Sequence, residues 1–231
     1  MEAGLRVYRV EGAGPGDRHM ADDADALDAA SRGVCTARIY QWDGPWVSLG
    51  MSQKPEEALD LEACARLGVR WVVRPTGGRA VLHGADVTFS LACPLAEVGG
   101  GPRNVRAAYR ALAPLIVEAL ARAGARATLG ERSRSLGPSN YRGVDCFRSL
   151  SANDVADAES GAKLAGTALR ICGDSVLLQA SIPTGPYLVP PEEIYLGAAA
   201  KARPTAYPDA DGVIRGLSAV LEERGYRRTR P

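Results

Sequence analysis

Residues 5–10 alternate apolar and polar positions, Leu-Arg-Val-Tyr-Arg-Val, the two-residue period of a short strand. Residues 18–32 shift to a helical pattern with an acidic start. Thr36–Trp42 and Trp46–Met51 predict two strands around the turn Asp43-Gly44-Pro45. Pro55–Leu67 predicts a helix, with Leu59, Leu61, Cys64, Ala65 and Leu67 on its apolar face and Gly68 as its stop.

Strands are predicted at Arg70–Arg74, Arg79–His83 and Val87–Cys93, the first two joined by Pro75-Thr76-Gly77-Gly78. Asn104–Gly124 has the strongest helical signal, with Asn104 as cap, Gly124 as stop and a kink at Pro114. Residues 130–150, rich in Ser, Gly and Arg, predict a long surface loop. Ala162–Ile171 and Ser175–Ile182 predict a hairpin around Cys172-Gly173-Asp174, and residues 192–202 and 211–225 predict helices after the Pro-rich stretch 183–191. Strands in neighbouring pairs with helices grouped between them indicate an α+β fold.

Composition changes this picture little. At 231 residues, 46% hydrophobic and formally +1, the chain suits one large domain and advertises neither a nucleic-acid nor a membrane partner. The first residues hold no apolar leader segment, so a cytoplasmic protein is expected. Five cysteines, none at C-x-x-C spacing, support neither a disulfide framework nor a zinc site, and no metal is expected. The 28 basic residues comprise 25 arginines and three lysines, Lys54, Lys163 and Lys201. A lysine kept against that bias is a candidate for chemistry that arginine, which holds its proton, cannot do.

Three stretches carry candidate chemistry. Arg74-Pro75-Thr76-Gly77-Gly78-Arg79-Ala80-Val81-Leu82-His83 sets two glycines between charged shoulders, so backbone N–H groups can approach a ligand closely. Residue chemistry alone leaves open whether this is a ligand cradle or a plain hairpin turn. Gly161-Ala162-Lys163-Leu164-Ala165-Gly166-Thr167-Ala168 puts a rare lysine at a strand start, with small residues beside it; an edge lysine facing water is the other reading. Asp145-Cys146-Phe147 places a thiol in a polar, Arg-rich loop, where positive charge favours the thiolate; Cys64 and Cys93 read as packing residues.

The segments 74–83 and 163–168, in this order and spacing, resemble the biotin/lipoate protein ligase superfamily, and the likeness runs from about residue 18 to 183. It implies an α+β catalytic domain of the class II synthetase-like type, a mixed sheet with flanking helices, over residues 1–190. Residues 191–231 would then be a short helical extension packed on the same domain. Arg79 in place of a third glycine, together with Cys146-Phe147, is closest to the cysteine-dependent octanoyltransferases of the LipM type. Leu169, Gln179 and the pair Asn153-Asp154 depart from the family's usual residues.

That resemblance implies octanoyl transfer from octanoyl-acyl carrier protein to a lysine of an apo lipoyl domain, such as a glycine cleavage H protein or an E2 subunit. Cys146 would be the nucleophile, and Lys163 would stabilise the thiolate and shuttle a proton. Substrate would be held by Arg74, Thr76, Gly77, Gly78, Arg79, Ala80, His83, Gly166, Thr167 and Ala168, with backbone N–H groups for the oxyanion and no cofactor. The alternatives are an ATP-dependent lipoate-protein ligase catalytic subunit and a non-catalytic acyl or lipoate binder. Residues 103–148 hold nine arginines (103, 106, 110, 122, 126, 132, 134, 142 and 148) against Glu118, Glu131 and Asp145, a net +6 that suits docking of an acidic carrier.

Overall fold

Three long strands keep a strict two-residue period, and that period separates two environments on one sheet. The structure is a computed structural model that describes residues 5–99, 104–133, 143–197 and 207–230. Its elements begin with β1 (Arg6–Gly14), α1 (Gly16–Ser31), β2 (Cys35–Trp42), β3 (Trp46–Leu49), α2 (Pro55–Ala58) and α3 (Leu61–Arg66). They continue with β4 (Arg70–Val73), β5 (Val81–His83), β6 (Asp86–Pro94), α4 (Val105–Arg122), β7 (Ala127–Leu129) and β8 (Val155–Asp157). The last are β9 (Lys163–Cys172), β10 (Ser175–Pro183), α5 (Pro191–Ile194), α6 (Ala210–Glu223) and β11 (Arg227–Arg228).

The strands form a large mixed sheet in the order β11-β1-β2-β6-β10-β9-β8-β7 and a small sheet in the order β4-β3-β5. One face of the large sheet presents Ala37, Ile39, Phe89, Leu91, Val176 and Leu178 to Ile116, Leu120, Leu217 and Val220 of α4 and α6, which makes the main apolar core. The opposite face presents Arg38, Tyr40, Thr88, Ser90, Gln179 and Ser181, all buried. It is covered in part by α1, whose Asp23 gathers four of these groups. Asp23 accepts from Arg38 Nη1 at 2.6 Å, Ser90 Oγ at 2.6 Å, Tyr40 OH at 3.0 Å and Gln179 Nε2 at 2.6 Å. Arg38 is fully buried and also donates to Glu11 and Asp22. Buried charge of this kind is tolerated only when so thoroughly partnered.

The structure corrects several sequence expectations. The helix expected over Pro55–Leu67 is two short helices, because Leu59 is extended and bridges Tyr195 while Asp60 caps the second helix by accepting from Ala63 N at 2.9 Å. The loop expected at 130–150 is entered and left by β7 and β8, three-residue strands too short for a period to show. After Pro191 the helix stops at Ile194, and Tyr195 turns extended to make the bridge to Leu59; the rest of the expected helix 192–202 lies partly outside the described residues. Asn104 does cap α4, accepting from Ala107 N at 3.0 Å. Among the described residues no helix is long and apolar enough to cross a membrane.

Candidate functional site

Edge pairing of the glycine-rich turn with the loop before β8 builds the site. Ala80 N donates to Val144 O at 3.0 Å and Cys146 N donates to Ala80 O at 2.9 Å, so residues 144–146 run alongside the turn. Asp145, buried, caps the short turn Cys146–Arg148 by accepting from Phe147 N at 2.9 Å. This leaves the Cys146 side chain half-buried at a cleft between the polar face of the large sheet and the small sheet. The cleft is open to solvent, with about 370 Å³ of non-atom space when the open solvent at its mouth is included.

Lys163, the first residue of β9, is 8% exposed and converges on Cys146. Its ammonium donates to Cys146 Sγ at 3.4 Å, Cys146 O at 2.9 Å and Ser149 O at 3.2 Å, and it pairs with Asp154 Oδ2 at 2.8 Å. Burial works against its charge, but Cys146 and the Asp154 carboxylate outweigh burial, so its pKa lies above the ordinary lysine value. Gly166 makes room for the pair: a Cβ there would lie 3.3 Å from Lys163 Cε and 3.4 Å from Cys146 Sγ.

Asp154 was legible only as one half of a family departure, yet it is the counterion of Lys163. It is buried, and it also accepts from Ser151 N at 2.7 Å and Thr167 N at 3.1 Å. Gly130 holds this loop by donating to Asp154 O at 2.7 Å, in a spot where a Cβ would meet Ser151 O at 2.1 Å.

Arg74 and Thr76 support the turn from beneath. All five Arg74 donors are spent inside the protein: on Thr76 Oγ1, on Ser48 O and Oγ, and on the Gly77 and Arg79 carbonyls at 2.7 and 2.8 Å. Thr76, fully buried, donates to Gln179 Oε1 at 2.6 Å. Arg79 reaches Ser149 Oγ at 2.6 Å, across the cysteine loop. His83 is buried between Ser48 Oγ and Asp86 Oδ2, each 2.8 Å from a ring nitrogen. Of the backbone donors expected for an oxyanion, those of Ala80 and Thr167 are already bonded, to Val144 O and Asp154 Oδ1. Gly77 and Gly78 N–H groups donate to no described residue, and Gly78 adopts φ +94°, a conformation that favours glycine. Arg74, His83, Cys146, Gly166, Thr167 and Ala168 all line the cleft. Asp23 and Gln179 were missed as site residues, since no local motif marks a network that joins strands far apart in the chain.

Close approach dictates Gly50. A Cβ there would lie 2.0 Å from Gly78 O, so Gly50→Ala must displace the glycine turn. It is expected to cost about 1–3 kcal/mol in thermal or urea unfolding, the scale of overpacking. Gly77→Ala meets nothing within 4 Å and should be close to neutral in the same measurement. Equal stabilities of the two variants would refute the close-packed reading of the turn.

The arginine-rich stretch is less free than its charge count suggests. Arg122 pairs with Glu118 and Glu223 at 2.8 and 2.6 Å, and Arg126 pairs with Glu159. Arg103, Arg134 and Arg142 lie outside the described residues.

Residues 18–215 match the lipoyl protein ligase A/B catalytic domain family. The chain is 37% identical over 173 residues to an octanoyltransferase LipM from Kyrpidia tusciae, a match covering 71% of this chain and 61% of that protein. The chain thus spans about three fifths of that relative's length. Its fold is that of a bipartite lipoate protein ligase solved with its E2 lipoyl domain from Thermoplasma acidophilum (TM-score 0.72, 20% identity, 98% of this chain and 88% of that one). A lipoate-protein ligase A bound with ATP gives a TM-score of 0.71 at 21% identity, covering 100% of this chain and 90% of that one.

Proposed function

We propose that this chain, which belongs to the lipoyl protein ligase A/B catalytic domain family, transfers an octanoyl group from a carrier-protein thioester to a lipoyl-domain lysine through Cys146. The observation that supports this reading most is Cys146 Sγ at 3.4 Å from a buried, carboxylate-paired Lys163 at the mouth of a cleft. An ATP-dependent ligase needs no such pair. The similarity to LipM octanoyltransferases points the same way.

In the first step the Cys146 thiolate attacks the thioester carbonyl. The carbon–sulfur bond to the carrier breaks, and the carrier leaves as a thiolate that takes a proton from water. Lys163 stays charged throughout and stabilises the attacking thiolate. In the second step the neutral amine of the acceptor lysine attacks the Cys146 thioester. An amide forms, the Cys146 thiolate is expelled beside Lys163, and the amine's surplus proton passes to solvent. Gly77 and Gly78 N–H groups are the donors assigned to the transient oxyanion. The carriers are an acyl carrier protein and an apo lipoyl domain, for which Arg106, Arg110 and Arg132 offer positive charge on the described surface.

The test is incubation with octanoyl-acyl carrier protein without ATP or magnesium, read by intact mass. The expected result is one octanoyl group on the enzyme, discharged when apo lipoyl domain is added. Transfer that strictly requires ATP and free octanoate or lipoate would overturn the proposal in favour of a ligase.

A further inference from the structure

The register of the large sheet brings two thiols together on the face away from the cleft. Strands β2 and β6 are antiparallel, with Thr36 opposite Ala92 and Ala37 opposite Leu91. One residue further, the same register sets Cys35, the first residue of β2, opposite Cys93. Cys35 N donates to Leu5 O at 2.8 Å, so the backbone groups of Cys35 point to β1. Cys93 pairs with Val176, and Leu95 N, two residues on, donates to Asp174 O, so the backbone groups of Cys93 point to β10. The two cysteines therefore face each other as a non-hydrogen-bonded antiparallel pair. In such a pair the Cα atoms lie about 4.5 Å apart and the side chains come closest. A disulfide spans Cα separations of about 4.4–6.8 Å, so a bridge here needs little backbone movement.

The chemistry of the pair agrees with its geometry. Both are free thiols, buried in the main apolar core. Cys93 donates to the Cys35 sulfur, which draws the Cys35 pKa down and pushes that of Cys93 up. The Tyr226 hydroxyl is bonded to Cys35 as well. Cys35 is thus the thiol that ionises first, and Cys93 stands ready beside it. Their cover is thin. Tyr226 leads into β11, a two-residue strand paired only with Val7 and Tyr8 of β1 and followed by Thr229, whose N–H donates to Tyr8 O at 2.9 Å. Local opening of so short an end strand costs far less than global unfolding and gives a small oxidant a route to the sulfurs.

We infer that Cys35 and Cys93 are a redox-modification site, which closes as a disulfide when the chain meets a hydroperoxide and then staples β2 to β6. Cys35 loses its proton and its sulfur attacks the peroxide. A sulfur–oxygen bond forms, the oxygen–oxygen bond breaks, and the departing hydroxide takes up a proton to become water. The Cys93 sulfur then attacks the Cys35 sulfenic acid. The disulfide forms, the sulfur–oxygen bond breaks, and a second water leaves with the Cys93 proton. Two thiols are oxidised and one peroxide is reduced to two waters. The site is independent of the acyl-transfer reading, because the pair lies on the apolar face of the sheet whereas Cys146 opens on the polar face. The two cysteines are 58 positions apart, and a cross-link over a loop of that length narrows the unfolded ensemble.

The test exposes the wild-type chain to hydrogen peroxide, blocks the remaining thiols with iodoacetamide and digests with trypsin without reductant. The expected product is residues 33–38 joined to residues 80–103, lighter than the two peptides together by two hydrogens and separated by dithiothreitol. The unfolding midpoint of the oxidised chain should rise by about 5–10 °C over the reduced one. Cys93→Ala, treated in the same way, should show no rise. Tyr226→Ala, which removes the cover, should form the link about tenfold faster. Unlinked, alkylated peptides at a peroxide dose that fully oxidises the exposed Cys172 would overturn the site. A linked product with an unchanged midpoint would overturn the staple, and a folded Tyr226 variant that links no faster would overturn the route of entry.

Discussion

Replacing Cys146 with serine should leave a folded protein that takes up no octanoyl group from a thioester. Transfer should fall by roughly 10³-fold or more, the scale on which loss of a covalent nucleophile registers. The fold should persist because Cys146 is held by its backbone, through the N–H bond to Ala80 O, and its side chain is only half-buried. Chemistry is lost because a serine hydroxyl is a far weaker nucleophile than a cysteine sulfur and has no neighbouring base to activate it. Cys64→Ala and Cys93→Ala provide the contrast, since both side chains are buried in the apolar cores and should lower the unfolding midpoint without stopping transfer. Intact mass and a transfer assay on the three variants decide the matter. A serine variant that transfers octanoate at the wild-type rate would remove Cys146 from the mechanism.

Where a residue's role rests on its near neighbours in the chain, the sequence was readable. The turn at 75–78, the strand that starts at Lys163 and the thiol of Cys146 could each be singled out within a few positions; the structure brings Cys146 and the strand from Lys163 to one cleft, which Arg74 and Val81 on either side of the turn also line. The strands expected at Val87–Cys93 and Ser175–Ile182 are found as β6 and β10. Other features depended on partners far away. Asp154 looked like a departure because its partner, Lys163, lies nine residues on and across a hairpin. Arg74 read as a ligand-binding cation because nothing local shows that its five donors are consumed by Ser48, Thr76 and the turn's carbonyls. Gln179, read as a change from the family's residue, ties Thr76 to Asp23 over separations of 103 and 156 residues. A polar sheet face with its own buried network has the same alternating pattern as a solvent-facing one, so periodicity could not distinguish them.

Asp154→Asn should be the most damaging substitution for stability in the site. Lys163 is almost wholly buried, and burial is the largest influence on it, opposing its charge. In the wild type Cys146 and Asp154 overcome that opposition and raise the ammonium pKa above 10.5. A raised lysine pKa contributes stability that is fully present below the unfolded value and is lost only as pH climbs through the folded one, so this contribution should not vary between pH 6 and 9. With an amide at position 154, burial is opposed by Cys146 alone and the ammonium pKa falls. A buried cation stripped of its carboxylate costs about 3–5 kcal/mol. The deficit relative to wild type should shrink as pH rises, because the variant's Lys163 gives up its proton at lower pH than the wild type's. Removing both charges, in Lys163→Met with Asp154→Asn, should recover much of the lost stability and none of the transfer. Urea unfolding of the single and double variants at several pH values measures all of this. If Asp154→Asn unfolds at the wild-type midpoint, Asp154 does not hold the Lys163 charge. If the double variant is no more stable than the single, the loss comes from the Ser151 and Thr167 hydrogen bonds that Asp154 accepts, and not from an uncompensated ammonium.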